Sequence, residues 1–269
     1  MGRKAGFLVG LAGCLLLTGC FDVEQSLVLN KDLSGTAGFR MAVNFEPMVL
    51  MMMRMQRQMA GTEGEPTAAE IAKAKEEFLA SKKSEPQPSP EAAKADLEKS
   101  LPPGVKLLDS DFKDEGLKLQ AHFKFGFDNL HSLQQIKLSK KEEPADGKTD
   151  GKDGAPPKPG GKNPFDTPFG DLQITDEGKT LLLTTKPTDP MAEQTGQMGG
   201  DMTPEMKKQI EEAFKGLRVA WKIETPFEVL ESNATRREGK TLIWEYDLKT
   251  FESMTPKQRA EGIRLKLKK

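Results

Sequence analysis

Apolar and polar side chains alternate through much of the chain. Leu117, Leu119, Ala121, Phe123, Phe125 and Phe127 are interleaved with Lys118, Gln120, His122 and Lys124. That period of two predicts a strand with one face in a core and the other in water. Ala37, Phe39, Met41, Val43 and Phe45 alternate around Arg40 and Asn44 in the same way, and Val219, Trp221 and Ile223 around Arg218, Lys222 and Glu224. Shorter runs predict strands at 23–29, 105–112, 181–185, 227–232, 242–248 and 263–267. Segments 30–35, 114–116 and 237–240 supply the turns, each with a glycine able to take a positive φ.

A second period interrupts the first. Met48, Met51, Met52, Met55 and Met59 recur at spacings of three and four, with Arg54, Gln56, Arg57 and Gln58 between them, so 47–60 reads as an amphipathic helix. Thr67 stands three residues before Glu70, a capping-box spacing that starts a helix over 67–82. Helices are also predicted at 90–101 and at 204–217, the latter with Thr203 as N-cap and Pro204 at the first helical position. Strands mixed with helices make the class α+β: an antiparallel β-meander sheet with helical insertions, forming one globular domain with disordered loops.

The first twenty residues do not belong to that domain. Arg3 and Lys4 precede an uncharged run from Phe7 to Leu17, which ends in Leu17-Thr18-Gly19-Cys20. This is the order of a secretory signal, and its apolar run is too short to span a membrane comfortably, which takes roughly 20 apolar residues. The last four residues resemble the bacterial lipobox, so residues 1–19 read as a lipoprotein signal peptide and Cys20 as the lipidated first residue. The only other cysteine, Cys14, leaves with the signal, so no disulfide or Cys-based metal site is expected afterwards. Two or three acyl chains hold a protein stably on a membrane. The partner expected first is therefore the membrane, reached through the N-terminal lipid, with the protein on the outer side of the cytoplasmic membrane or on the outer membrane. The strand predicted from Val23 begins three residues after Cys20, which places the domain close to the headgroups.

Composition divides the remainder. Residues 137–170 read as a disordered linker rich in Lys, Asp, Gly and Pro, separating an N-terminal part of the domain, 20–136 with its helical insertion at 46–101, from a C-terminal part at 171–269. Weaker breaks fall at 84–90 and 188–200. Loss of Arg3 and Lys4 leaves 38 basic against 41 acidic side chains, a balance unlike a nucleic-acid-binding surface.

Enzyme chemistry finds little purchase. His122 falls on the polar face of a predicted strand and His131 in a turn, and neither belongs to a metal-ligand pair. Asp109, Asp111, Asp114 and Glu115 flank a hairpin turn without the spacing of a calcium loop. No nucleophile elbow, zinc-protease helix or phosphate-cradling loop is present, so no catalytic residue, metal or cofactor is expected. The methionine stripe admits three readings: core packing, an adaptable surface for lipid or partner, or soft ligands for Cu(I).

The C-terminal pattern carries a resemblance. Leu217-Arg218-Val219-Ala220-Trp221-Lys222-Ile223-Glu224-Thr225-Pro226-Phe227-Glu228-Val229-Leu230-Glu231-Ser232-Asn233-Ala234, then Gly239-Lys240-Thr241-Leu242-Ile243-Trp244, resembles the LppM-type domain of bacterial lipoproteins, as does the Asp32-Leu33-Ser34-Gly35 turn behind the lipobox. The match covers mainly 20–45 and 217–248 and is structural, so no functional residue transfers with it. It implies an envelope lipoprotein domain with a link to lipid handling. The expected function is a lipid-anchored, non-catalytic cell-envelope lipoprotein that binds an apolar ligand or lipid, with Met48, Met51, Met52, Met55 and Met59 as candidate surface. The alternative is a structural or assembly lipoprotein that docks to an envelope protein and has no ligand cavity.

Overall fold

The computed structural model of the chain describes residues 21–62, 64–84, 89–138, 167–185 and 203–269. Cys20, the signal peptide, and residues 139–166 of the expected linker lie outside the described residues, as do 85–88 and 186–202.

Eleven strands and six α-helices are present among the described residues, an α+β arrangement dominated by antiparallel pairing. In chain order these are β1 (Phe21–Leu29), β2 (Gly35–Asn44), α1 (Glu46–Met59), α2 (Ala68–Ser84), α3 (Pro90–Ser100), β3 (Val105–Asp114), β4 (Lys118–Phe127) and a 3-10 turn (Leu130–Gln135). Then follow β5 (Gln173–Asp176), β6 (Thr180–Thr185), α4 (Pro204–Ala213), β7 (Arg218–Glu224), β8 (Glu228–Ser232), β9 (Arg236–Glu238), β10 (Thr241–Asp247), α5 (Leu248–Ser253), α6 (Pro256–Glu261) and β11 (Ile263–Lys268).

The strands form two sheets rather than one meander. Seven are ordered β3-β4-β2-β1-β7-β10-β9 and four are ordered β5-β6-β11-β8. The pair β1–β7 is parallel, with Val23 opposite Val219 and Gln25 opposite Trp221, and it joins the two halves of the chain at the centre of the larger sheet. Sheet membership changes along one short stretch. After β7, Thr225-Pro226-Phe227 turns the chain, with the buried Thr225 hydroxyl accepting the Phe227 N–H (3.2 Å), and β8 joins the smaller sheet. Proline cannot donate to a ladder, so the strand stops there.

Local rules account for most element ends. Thr67 and Glu70 complete the capping box of α2, with Thr67 N donating to Glu70 Oε2 (2.7 Å) and Glu70 N to Thr67 Oγ1 (3.3 Å). Thr203 caps α4 through the Met206 N–H (3.2 Å). Thr255 and Gln258 cap α6 in the same reciprocal manner. One turn differs from expectation. Between β1 and β2 the positive φ falls on Leu33 (64°), where the Asp32 carboxylate takes the Ser34 N–H and hydroxyl (3.1 and 2.6 Å). Gly35 is instead a strand residue needed for close approach, because a Cβ there would stand 1.9 Å from the Val28 carbonyl oxygen.

Both sheets contribute to a single core that includes Phe39, Phe125, Leu183, Trp244 and Leu265. Phe169, which falls within the 137–170 stretch expected as linker, is fully buried and meets Trp221 edge-on, with centroids 6.1 Å apart.

Candidate functional site

Register-matched residues cross the inner face of the large sheet in rows. The rows farthest from the start of β1 are better covered: Phe125, Ala37, Leu27, Ile223 and Leu242, then Val105, Phe127 and Leu29, are all buried, and only Leu107 at the β3 edge is half-buried. Toward Phe21 the cover thins. The next row holds the half-buried Phe123 and Gln25 beside the buried Phe39, and the row after it holds half-buried Met41 and Phe112, which is 47% exposed, while the members of both rows on β7 and β10 stay buried, so the opening is confined to the β3, β4 and β2 side. Phe21 itself is half-buried. Apolar surface thus persists on the inner face of β3, β4, β2 and β1, at the end where the chain enters from Cys20.

Gln25 is the polar member of this surface. Its neighbours at inward positions of β1 are Phe21, Val23, Leu27 and Leu29. Its Oε1 is buried and, among the described residues, has no hydrogen-bond partner. Such an acceptor costs about 1–3 kcal/mol when left unpaired. A few polar groups set among apolar side chains is the usual make-up of a small-molecule site. Sequence inspection passed over Gln25, although a polar residue at an inward position of an alternating strand is itself a signal.

The methionines do not share one environment. Met51 is buried in the main core and Met55 packs partly against it, Met48 is half-buried, and Met52 is 49% exposed. Met59 is the last residue of α1. Helix α1 touches both α2 and α4, and ion pairs tie it to each: Arg54 to Glu212 (2.9 Å), Arg57 to Glu70 (2.8 Å) and Glu46 to Lys75 (2.8 Å). The helix is therefore held on both sides, and the methionines of its stripe whose side chains are described differ in burial, from Met51 in the core to Met52 in solvent.

The outer face at the same end is ionic. Arg218 on β7 donates to Asp22 (2.8 Å) and Glu24 (3.0 Å) on β1 and to Glu245 (3.3 Å) on β10, and Lys222 joins Glu24 at 2.8 Å. Burial alone would raise the Glu24 carboxyl, but hydrogen bonds from Lys222 and Arg218 outweigh it and hold the group below its ordinary value. A carboxyl lowered in the folded state stabilises the fold above its unfolded pKa, and that stability is lost as pH falls through the folded value. Arg218→Met should therefore cost about 1–2 kcal/mol near neutral pH, given partial exposure. Urea unfolding as pH is taken down through 4.5 should show a shallower loss for the variant than for the parent; equal slopes would mean the network is not coupled to folding.

The histidines lie elsewhere. His122 is on the outer face, 3.7 Å from Asp109, beside a depression of about 360 Å³ shared with Arg40, Asp111 and Gln120. His131 is exposed. Among the described residues no three His, Cys, Asp or Glu side chains could hold a metal ion, and no helix is long and apolar enough to cross a membrane.

No family model matches the chain, and no curated protein matches it. Among solved structures, the chain is similar to the NMR structure of the folded domain of the Mycobacterium tuberculosis LppM protein. The identity is 10% and the TM-score 0.40, covering 99% of this chain and 95% of that one.

Proposed function

We propose that the protein is a non-catalytic cell-envelope lipoprotein, anchored through lipid on Cys20, which holds an apolar chain against the inner face of its large sheet. The observation that carries this reading is the uneven closure of that face: better covered far from Phe21, and open at Phe112, Phe123 and Met41 near it. Because β1 starts at Phe21, the open end adjoins the residue expected to carry the anchor. An acyl chain leaving a bilayer would meet that end first. Gln25 would then give its acceptor to a hydroxyl or amide N–H near the head of the bound molecule.

The docking alternative has an observation of its own. Strand β3 is an edge strand, and Leu108 and Phe112 on it are 54% and 47% exposed. An apolar strand edge is a template for an added strand.

One preparation tests the first reading. The full chain with Cys20→Ser should leave the membrane pellet after signal cleavage, and native mass spectrometry should find it carrying lipid. Phe123→Glu, which places a charge on the half-buried surface, should reduce the bound lipid roughly tenfold while the protein remains folded. Retention in the pellet would overturn the anchor. A clean apo mass together with no uptake of fluorescent fatty acid would overturn the ligand and leave the exposed β3 edge as the reading to pursue.

A further inference from the structure

A second concavity lies toward the other edge of the large sheet, at β10, two strands beyond β1. Between β10, α5 and α6 is a cleft of about 320 Å³, lined among others by Tyr246, Thr250, Ser253, Gln258 and Glu261. Its walls are set by local chemistry: Asp247 caps α5 through the Thr250 N–H (2.8 Å), and Thr255 and Gln258 cap α6. Tyr246, the only tyrosine of the chain, is 5% exposed, and its ring lies 5.6 Å from Phe251. Among the described residues its hydroxyl has no hydrogen-bond partner. Burial pushes the phenol up to about 12, so it is a neutral group able to donate and to accept.

The other lining groups narrow the ligand. Thr250 spends its proton on Asp247 (2.6 Å) and Ser253 on the Thr250 carbonyl (3.0 Å), so both face a ligand as acceptors. Gln258 Oε1 is engaged by Thr255 (2.9 Å), which leaves its amide NH2 as a donor. Glu261 accepts, and Lys257 stands 3.8 Å away as its counter-charge. Donors and acceptors are mixed, a carboxylate disfavours an anion, and the carboxylate already has a cation. Hydroxyl groups, each both donor and acceptor, answer this arrangement. The volume is at the small end of the roughly 300–1,000 Å³ of ligand pockets, enough for one sugar-sized molecule. We infer that this cleft is a binding site for a small neutral polyol, with the Tyr246 hydroxyl as its central contact. The inference is independent of the lipid reading and of the anchor.

A single tyrosine makes the test direct. The full-length Cys20→Ser chain labelled with 3-fluorotyrosine has one fluorine resonance, from Tyr246. Titration with glucose, N-acetylglucosamine and glycerol should shift that resonance saturably for at least one of them, while glycerol 3-phosphate and ethanolamine should not. In unlabelled protein followed by amide NMR, Tyr246→Phe should keep the fold and weaken the same polyol by roughly tenfold, the loss of one buried hydrogen bond. Linear, non-saturating shifts for all three polyols would overturn the proposal. So would saturation by a charged probe alone, or equal affinity in Tyr246→Phe.

Discussion

Gly35→Ala is expected to cost about 3 kcal/mol or more, the largest single effect foreseen for this protein. The added methyl would sit 1.9 Å from the Val28 carbonyl oxygen and 2.9 Å from Phe127 Cζ. Val28 is backbone of the central β1, and Phe127 is 3% exposed in the better covered end of the core, so neither can move without breaking register or packing. Gly38→Ala supplies the control. There the new methyl would meet chiefly the Ser26 hydroxyl at 2.4 Å, the end of a side chain that can rotate away. Urea denaturation of both variants should give a much larger drop in midpoint for position 35 than for position 38. Similar drops at both would mean that the β1–β2 approach tolerates expansion.

Asn233→Ala should destabilise the protein by about 2–3 kcal/mol. The Asn233 side chain accepts from Trp244 Nε1 (2.8 Å) on the large sheet and from the Arg264 N–H (2.8 Å) on the small one, and donates to the Gly262 carbonyl (2.7 Å). Trp244 is fully buried, so its indole N–H would lose its partner where water cannot replace it. Asn233 itself is exposed, and the backbone groups near the surface would be partly rescued by solvent, which holds the estimate below the sum of three buried bonds. Asn233→Asp keeps the acceptor but loses the donor, so its melting temperature should fall between those of the parent and of Asn233→Ala. If Asn233→Ala melted with the parent, the two sheets would have to be joined by other means.

Asn233 also shows where reading the chain stops. The run Ser232-Asn233-Ala234 with Trp244 was recognisable as a pattern, but its purpose was not. The two residues are eleven apart in sequence, Asn233 just past the end of β8 of the small sheet and Trp244 within β10 of the large one, and only the crossing of the chain between them makes one amide a link. Gln25 and Tyr246 were overlooked for a related reason. Each occupies an inward position of a strand, where sequence argues for core, and only the packing around it decides whether its polar atom is paired.

Elements of sufficient length were legible. Nine of the strands and the four longer helices follow from periods of 2 and 3.6 with their caps, because a strand of five or more residues or a helix of ten or more repeats its apolar face often enough to be seen. The three residues of β9 and the four of β5 carry no such repeat, and α5 and α6 have six residues each. The helix expected over 204–217 stops at Ala213, since Phe214 leaves helical geometry and turns inward to be 3% exposed.

The sequence by itself therefore determined the α+β class and which residues of each long strand face inward, and it alone carries the lipobox-like pattern before Cys20. Tertiary structure decided the parallel pairing of β1 with β7, the division into two sheets, and the split of the methionines between core and solvent. The physical reason is the range of the forces involved. Periodicity and capping act within a few residues, whereas strand partners, sheet membership and the closure of a core depend on surfaces far apart in the chain, 196 residues for Asp22 and Arg218, that meet only after folding.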